Sequence, residues 1–347
     1  MNNKTLIAMS GGVDSSVSAM LMCDKGYDCV GAMMKLSSAT RPEDEEDARL
    51  VADSLGIPFY VFDFSEQFRA DVIDVFVRAY ENGTTPNPCV ICNRHLKFDR
   101  LMQAGRELSC ERLATGHYAR VEQDADTGRF LLKKALDPSK DQSYMLYSLT
   151  QDQLARVQFP LGSLSKDAVR KLASERGFAN AKKSESQDIC FIPDGNYAEF
   201  IEEYAGSHCP DGDFIDSDGR ILGRHKGIIR YTIGQRKGLG IAFGEPMYVL
   251  RVDPQDNTVT LGKNEELFSD TLTAKDINLI SCDRILGSLK VTAKIRYRHA
   301  EQPATAEQLD EDTLQVVFDE PQRAITPGQA VVLYDGDVVI GGGTITT

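Results

Sequence analysis

The sequence predicts an α/β protein: an N-terminal doubly wound parallel sheet, then a small central domain and a C-terminal β-barrel. Three observations carry this expectation. A short apolar run, Thr5 to Met9, leads through Ser10-Gly11-Gly12-Val13-Asp14-Ser15-Ser16 into a second apolar stretch, Val17 to Met22, which is the order strand, glycine turn, helix. Strand-like and helix-like segments then alternate, which calls for parallel strands joined by helices that cover both sheet faces. From about residue 210 turn signals crowd together, with only short strand-like runs between them, the pattern of small β domains.

The elements follow in order. A second strand is expected over Cys29–Met34, after Gly26. Residues 43–55 place Ala48, Val51, Ala52 and Leu55 at helical spacing, and Gly56 and Pro58 end that helix. Phe59–Phe64 is a third strand. Residues 66–80 put Phe68, Val72, Val75, Phe76 and Ala79 on one helical face, and Leu113–Tyr118 reads as a further strand. Asp124, Asp126 and Gly128 between two short runs predict a hairpin over 120–135. Residues 165–176 form a helix closed by Gly177. Later turns include Pro210-Asp211-Gly212, Asp218-Gly219, Gly238-Leu239-Gly240 and Pro327-Gly328. At 347 residues the chain exceeds one ordinary core. We divide it into 1–195, 205–265 and 266–347.

Composition narrows the function classes. A hydrophobic fraction of 41% and a charged fraction of 26% are ordinary for a globular protein. No apolar run approaches the roughly 18 residues that span a bilayer, and Met1-Asn2-Asn3-Lys4-Thr5 does not open a signal peptide. A cytoplasmic protein is expected. The net charge of −13 argues against indiscriminate nucleic-acid binding. Yet residues 219–244 hold six Lys/Arg and 290–299 hold four, with no Asp or Glu in either stretch. Two readings stand: a polyanion bound on one face, or basic strands on a solvated sheet face.

The segment Ser10 to Ser16 is the first with chemistry. Paired glycines let the backbone approach an anion, amides at a helix start point at it, and Ser10, Ser15 and Ser16 offer hydroxyls. Gly-Gly alone would be a plain turn. The whole segment between strand and helix points to a nucleotide. No Lys follows the glycines, so this is not a Walker loop. A cradle for pyrophosphate suits cleavage of ATP between its α and β phosphates. The segment resembles the loop of the ATP pyrophosphatase superfamily.

Eight cysteines in a long chain without a secretion signal do not read as a disulfide framework. Cys89 and Cys92 lie in Thr85-Pro86-Asn87-Pro88-Cys89-Val90-Ile91-Cys92-Asn93, where two prolines predict a rigid exposed loop. C-x-x-C is half of a zinc site, but no second closely spaced Cys/His pair completes it, and no metal centre is expected. A redox pair finds no support in the flanking prolines. Cys190, beside Ile189 and Phe191, reads on its own as a buried structural residue.

Taken together the motifs resemble the bacterial tRNA-specific 2-thiouridylase family over essentially the whole chain. The matching segments are AMSGGVDSSVSAMLM at 8–22, GAMMK at 31–35, TPNPCVICNRHLKF at 85–98, ATGHYAR at 114–120, SKDQSYMLY at 139–147, SESQDICFI at 184–192, GRHKGIIRYTIGQRKGLGI at 223–241, KIRYRH at 294–299 and PGQAVVLYDGD at 327–337. The resemblance implies a PP-loop, adenine nucleotide alpha hydrolase-like first domain. It implies ATP binding by Ala8, Met9, Ser10, Gly11, Gly12, Val13, Asp14 and Ser15, with Met34 and Gly116 at the adenosine. Cys92 matches the nucleophile and Cys190 the cysteine that carries a persulfide. Asn87, Pro88, Cys89, His117, Lys140, Asp141, Gln142, Arg296, Tyr297 and Gln329 match positions that touch the target base or the tRNA. In one departure, Cys89 stands where the best-known members have Asp, the proposed acid/base. Also implied are Mg²⁺ with the ATP, tRNA acceptors for Lys, Glu and Gln, a cysteine desulfurase or sulfur-relay donor, and a Cys92–Cys190 disulfide at the end of each turnover. An ATP pyrophosphatase for a small molecule and an RNA-binding protein with an idle ATP site are the alternatives.

Overall fold

The computed structural model describes residues 3–37, 41–181, 183, 189–241 and 244–347. In the matching segment 184–192, residues 184–188 lie outside the described residues, as do 242 and 243 of the first basic stretch.

Four strands open the chain: β1 (Lys4–Ala8), β2 (Asp28–Lys35), β3 (Phe59–Asp63) and β4 (Arg112–Ala114). A hairpin follows, β5 (Ala119–Gln123) and β6 (Phe130–Lys134), then β7 (Val157–Gln158). The first sheet has five strands in the order β3-β2-β1-β4-β7, all parallel. Helices α1 (Val13–Asp24) and α2 (Pro42–Leu55) and the helix Lys166–Glu175 share a core cluster on one side, through Val17, Met20, Ala48, Val51, Val169 and Ala173. Residues 101–107 pack with Leu6 and Leu113 in a second cluster. The expected parallel sheet covered on both faces is present.

Three predicted elements differ in detail. The strand expected over Leu113–Tyr118 ends at Ala114. The helix expected over 66–80 runs as Ser65–Phe68, a π-helical turn Arg69–Ile73, and Asp74–Glu81. The widened turn rotates the buried face, so Ile73, Val77 and Tyr80 join Phe68, Val72 and Phe76, while Val75 and Ala79 are only half-buried. The hairpin β5–β6 forms as expected but leaves its own sheet. Lys133 of β6 registers with Val338 of the last strand, so the hairpin extends the C-terminal barrel.

The central unit has β8 (Gly212–Ile215), β9 (Ile221–His225), β10 (Tyr248–Asp253) and β11 (Thr258–Gly262), ordered β10-β11-β8-β9. The last unit has β12 (Phe268–Leu279), β13 (Ser288–Lys294), β14 (Gln302–Gln308), β15 (Leu314–Arg323), β16 (Ala330–Asp335) and β17 (Val338–Ile345). Pairing of β12 with β17 closes these six antiparallel strands into a barrel. Closure removes unpaired edges.

Continuous cores join the units. Phe98, Leu113 and Tyr144 share one cluster with Ala330, Val332 and Tyr334 of the barrel. Cys92, Leu96 and Phe191 share another with Phe214, Val249 and Val259 of the central unit.

Candidate active site

The phosphate loop is built by exclusion. Gly11 has φ +71°, and a Cβ there would lie 2.2 Å from the carbonyl oxygen of Asp44. No other residue fits without displacing the start of α2. Gly12 caps α1 in an extended conformation with no side-chain cap, so the first amides of that helix keep their donors for an incoming anion. The hydroxyls act differently from the sequence expectation. Ser15 Oγ and Ser16 Oγ donate back to the Gly12 carbonyl at 2.9 and 3.0 Å, and the Ser10 amide donates to Ser15 Oγ at 3.2 Å. They shape the loop. Val13 and Met9 are buried in the core below it, while Ala8 and Met34 sit half-buried at the strand ends.

A carboxylate at an anion site must be neutralised. Lys166 Nζ lies 2.7 and 2.9 Å from the two oxygens of Asp14, and the Tyr118 hydroxyl donates to the same group at 2.9 Å. Lys183 Nζ reaches the Gly11 carbonyl at 3.3 Å, Asp44 at 2.7 Å and Asp47 at 2.5 Å. Burial pushes the Asp44 carboxyl up, but Lys183 and Arg41 outweigh it and hold the group below its ordinary value. Asn180 donates to the Gly11 carbonyl at 3.0 Å and to Ser16 Oγ at 2.9 Å. The carboxylates at the loop, Asp14, Asp44 and Asp47, are thus all engaged by ammonium groups. They do not form a ready cage for Mg²⁺.

Gly116 joins this loop to the second half of the site. A Cβ on Gly116 would lie 2.9 Å from the Ser15 nitrogen, so the end of β4 packs against the first turn of α1 only because the residue is glycine. His117 follows. Its Nδ1 lies 2.7 Å from Thr115 Oγ1, and its ring packs against Phe98 and Phe159 at 5.6 and 6.0 Å. Burial, and then the Lys97 ammonium, hold His117 well below its usual pKa. It is a neutral imidazole at pH 7.

The cysteine segment starts a helix where a loop was expected. Asn87 Oδ1 accepts from the Val90 amide at 3.4 Å, and Pro88 takes the first helical position of the helix Pro88–Cys92. Proline suits that position because its missing N–H has no partner there. A π-helical stretch, Asn93–Arg100, follows directly. Cys89 is exposed and Cys92 buried at 7%, whereas Cys190, read from sequence as a buried residue, is exposed. Phe191 beside it is the buried one, edge-on to Phe68 and Phe76 at 5.5 and 5.4 Å.

The fold brings the three thiols together. Burial pushes Cys92 up to about 11, with Lys97 opposing and Cys190 and Cys89 adding to the rise. Although Cys190 is open to solvent on one side, the protein atoms crowded around its sulfur raise it, and Cys89 adds to the rise against Lys97. Cys89, also exposed, is raised by the protein atoms that partly desolvate its sulfur, against Lys97. All three are free thiols. Among the described residues, no three Cys, His, Asp or Glu side chains gather closely enough to hold a metal ion.

The remaining expected RNA contacts divide. Gln329 Nε2 donates to the Thr85 and Pro86 carbonyls at 2.8 and 3.3 Å, which places the barrel against the cysteine segment. Asp141 accepts from the Ala135 and Ser143 amides and the Ser143 hydroxyl, and Gln142 accepts from the Tyr118 amide, so both shape the chain around His117. Lys140, next to them, is half-buried. Arg296 donates to the Ala324 carbonyl at 2.6 Å and to Thr326 Oγ1 at 2.7 Å, and Tyr297 packs near Tyr144. In the basic stretch, Arg220, Arg224 and Arg230 pair with carboxylates. Arg236 and Lys237 are exposed and, with Tyr197 and Gln235, line a cleft of about 710 Å³.

Sequence reading passed over Lys97, Lys166, Asn180 and Lys183. Lys97 lies inside the segment 85–98 and Lys183 just before 184–192, and nothing in local spacing marks a lysine whose partners are remote in sequence.

A glycine loop at the end of a parallel strand, backed by a helix start, in a chain that also groups three thiols, defines an ATP-loop α/β protein with two appended β units. Residues 3–194 match the family described as tRNA methyl transferase HUP domain, 198–263 the tRNA methyl transferase PRC-barrel domain, and 269–345 the aminomethyltransferase beta-barrel domain. The chain is 51% identical to the tRNA-specific 2-thiouridylase MnmA of Clostridioides difficile, over 99% of this chain and 98% of that protein. It is 48% identical to the tRNA-specific 2-thiouridylase MnmA 1 of Thermoanaerobacter sp. (strain X514), again over 99% and 98%. The chain belongs to the tRNA-specific 2-thiouridylase MnmA family. Among solved structures it is similar to the U34-tRNA thiolase NcsA of Methanococcus maripaludis at 18% identity, covering 58% of this chain and 67% of that one, with a TM-score of 0.37, too low to bear on function.

Proposed function

We infer that this chain thiolates tRNA at the expense of ATP, forming 2-thiouridine at the wobble position. The observation that carries this reading is the continuity between the two halves of the site. The thiols of Cys89, Cys92 and Cys190 lie around Lys97, which also acts on His117. Gly116, beside His117, packs against the Ser15 amide of the phosphate loop.

The chemistry follows from the groups present. The uridine C2 oxygen is a poor leaving group. Its attack on the α-phosphate of ATP, cradled by the loop of Ser10 to Ser15, forms an O-adenylated base and releases pyrophosphate. Cys190 carries one sulfane sulfur as a persulfide, delivered by a cysteine desulfurase or a sulfur-relay protein. The Cys92 thiolate attacks the Cys190 sulfur, forming the Cys92–Cys190 disulfide and expelling hydrosulfide. Hydrosulfide adds at C2 and AMP leaves with the former C2 oxygen. A thiol reductant returns the disulfide to two thiols. Mg²⁺ finds no unengaged carboxylate among the described residues at the loop. The wobble base must leave its stack, at a cost of a few kcal/mol, which phosphate contacts offset. The tRNA acceptors for Lys, Glu and Gln are the expected substrates, in the cytoplasm. Among the described residues no helix is long and apolar enough to cross a membrane.

Nucleoside analysis of tRNA from cells lacking the gene tests this reading. Loss of 2-thiouridine, with AMP and pyrophosphate formed by the purified protein on unmodified tRNA, is the expected result. Normal 2-thiouridine content, or ADP as the product, overturns it.

A further inference from the structure

The sulfur chemistry needs anions, yet the protein surrounds the Cys92 thiol with apolar atoms. Cys92 shares a core with Phe191, Leu96 and Phe76. Removing a thiolate from water without a counter-charge is costly. A thiol near 11 is ionised to only roughly 0.03% at pH 7.5. Something in the site must stabilise sulfur as an anion when the reaction calls for it.

Lys97 has the position for that task. It is half-buried in the π-helical stretch Asn93–Arg100, which begins directly after Cys92. In an α-helix, residues four apart share a face; the i→i+5 register of a π-helix brings the fifth residue round instead. Leu96 takes the core position in this stretch. The wider turn brings Lys97 towards the face of Cys92. Among the described residues, neither an ion pair nor a hydrogen bond engages its ammonium. Its charge instead acts on groups from three separate segments: Cys89 and Cys92 on its own helical run, Cys190 before Phe191, and His117 after β4. His117, held neutral, brings no competing charge. A half-buried cation that no described residue pairs with, near three thiols, is a site built for an anion that forms during turnover.

We propose that Lys97 is the positioning cation of the sulfur-transfer step, stabilising the anions of the Cys92 and Cys190 sulfurs as each forms. This rests on the thiolation reading for its role in turnover, but the electrostatic claim stands apart from it. No covalent step passes through the lysine. Its charge lowers the cost of ionising each sulfur in turn, first the Cys190 sulfur as it takes up sulfane sulfur and then the Cys92 nucleophile.

The labelling test uses the full chain without ATP or tRNA, and the salt dependence of tRNA binding is measured separately on the same variants. Iodoacetamide labelling of Cys92 and Cys190 is followed by peptide mass spectrometry from pH 6 to 10, in the wild type, Lys97→Met and Lys97→Arg. Loss of one nearby charge is expected to move the thiols by about one pH unit, a roughly tenfold slower labelling at pH 7.5. The methionine profile should move to the alkaline side, and Lys97→Arg should stay near the wild type. If Lys97→Met fails to fold by circular dichroism, Lys97→Gln takes its place. Superimposable profiles in all variants overturn the proposal. So does an unchanged profile with a smaller salt dependence of tRNA binding, which would assign Lys97 to an RNA phosphate. A wild type that shows the expected titration but thiolates no tRNA would refute the function while leaving the role of Lys97 intact.

Discussion

Gln329 of the barrel donates its side-chain amide to the carbonyl of Thr85, 244 residues earlier, at 2.8 Å. The Thr85 amide in turn donates to the Pro327 carbonyl at 2.9 Å. The barrel thereby grips the chain just before Asn87, whose side chain caps the helix that carries Cys89 and Cys92. A C-terminal domain thus helps to set the position of the nucleophile.

Gln329→Ala should loosen that grip. The loss of its hydrogen bonds should cost about 1 kcal/mol of stability, and thiolation should fall at least several-fold. The distinguishing readout is the thiol. If Gln329 acts through the cysteine segment, Cys92 labels faster in the variant; if it touches only tRNA, labelling is unchanged and tRNA affinity alone falls.

Gly11→Ala should abolish pyrophosphate release, because the added Cβ meets the Asp44 carbonyl at 2.2 Å and the backbone is left-handed. Gly116→Ala should weaken ATP cleavage by pushing the end of β4 off the Ser15 amide. A radiolabelled ATP assay with thin-layer separation reads both. Wild-type rates in Gly116→Ala would show that the close approach is not needed.

Phe191→Ala tests how Cys190 is held. Phe191 is buried at 6% between Phe68 and Phe76. Truncation should cost about 3–5 kcal/mol, read by urea denaturation. Phe191→Leu should recover most of the stability but place Cys190 less well, lowering persulfide-dependent sulfur transfer more than ATP cleavage. Equal loss of both activities would remove any specific positioning.

Cys92→Ser and Cys190→Ser should each eliminate sulfur transfer, and Cys190→Ser alone should fail to retain labelled sulfane sulfur. Cys89→Ser should cut the rate severely and Cys89→Asp should restore much of it if Cys89 serves as the proton carrier; near-wild-type turnover by Cys89→Ser would remove that role. The pH dependence has a definite sign. Burial raises Cys92 to about 11, so the thiolate is scarce at neutral pH and grows about tenfold per pH unit. Single-turnover sulfur transfer should rise between pH 7 and 9. His117, held well below its usual pKa, should add no acidic limb near pH 6.5. A flat profile would mean that Cys92 is already ionised in the complex.

Phosphate contacts are expected from Arg236 and Lys237, which line the open cleft. Replacing either with alanine should reduce the slope of log K against log salt by roughly 0.7–0.9. Arg296→Ala should behave differently, because its guanidinium holds the Ala324 carbonyl and Thr326; a fall in melting temperature should accompany any loss of binding.

By itself the sequence determined the local chemistry and the order of the architecture. Strand, glycine loop and helix follow from residues 5–22 alone, because period, glycine and apolar run are local properties. The β-rich second half is legible in its turns for the same reason. Cys92 and Cys190 were also marked, through the motifs around them. What the tertiary structure decided are relations between remote segments. Cys190 reads as buried beside Phe191, yet the fold buries the phenylalanine and leaves the thiol exposed. Asn87-Pro88 reads as a loop and becomes a helix start, because its capping bond requires the next turn to exist. The hairpin is legible over 120–135, but its attachment to β17 depends on where the barrel lies. Lys97 and Lys166 bear no local signature. A lysine acquires its role from the anion or thiol that folding brings to it, and that distance is not written in sequence spacing.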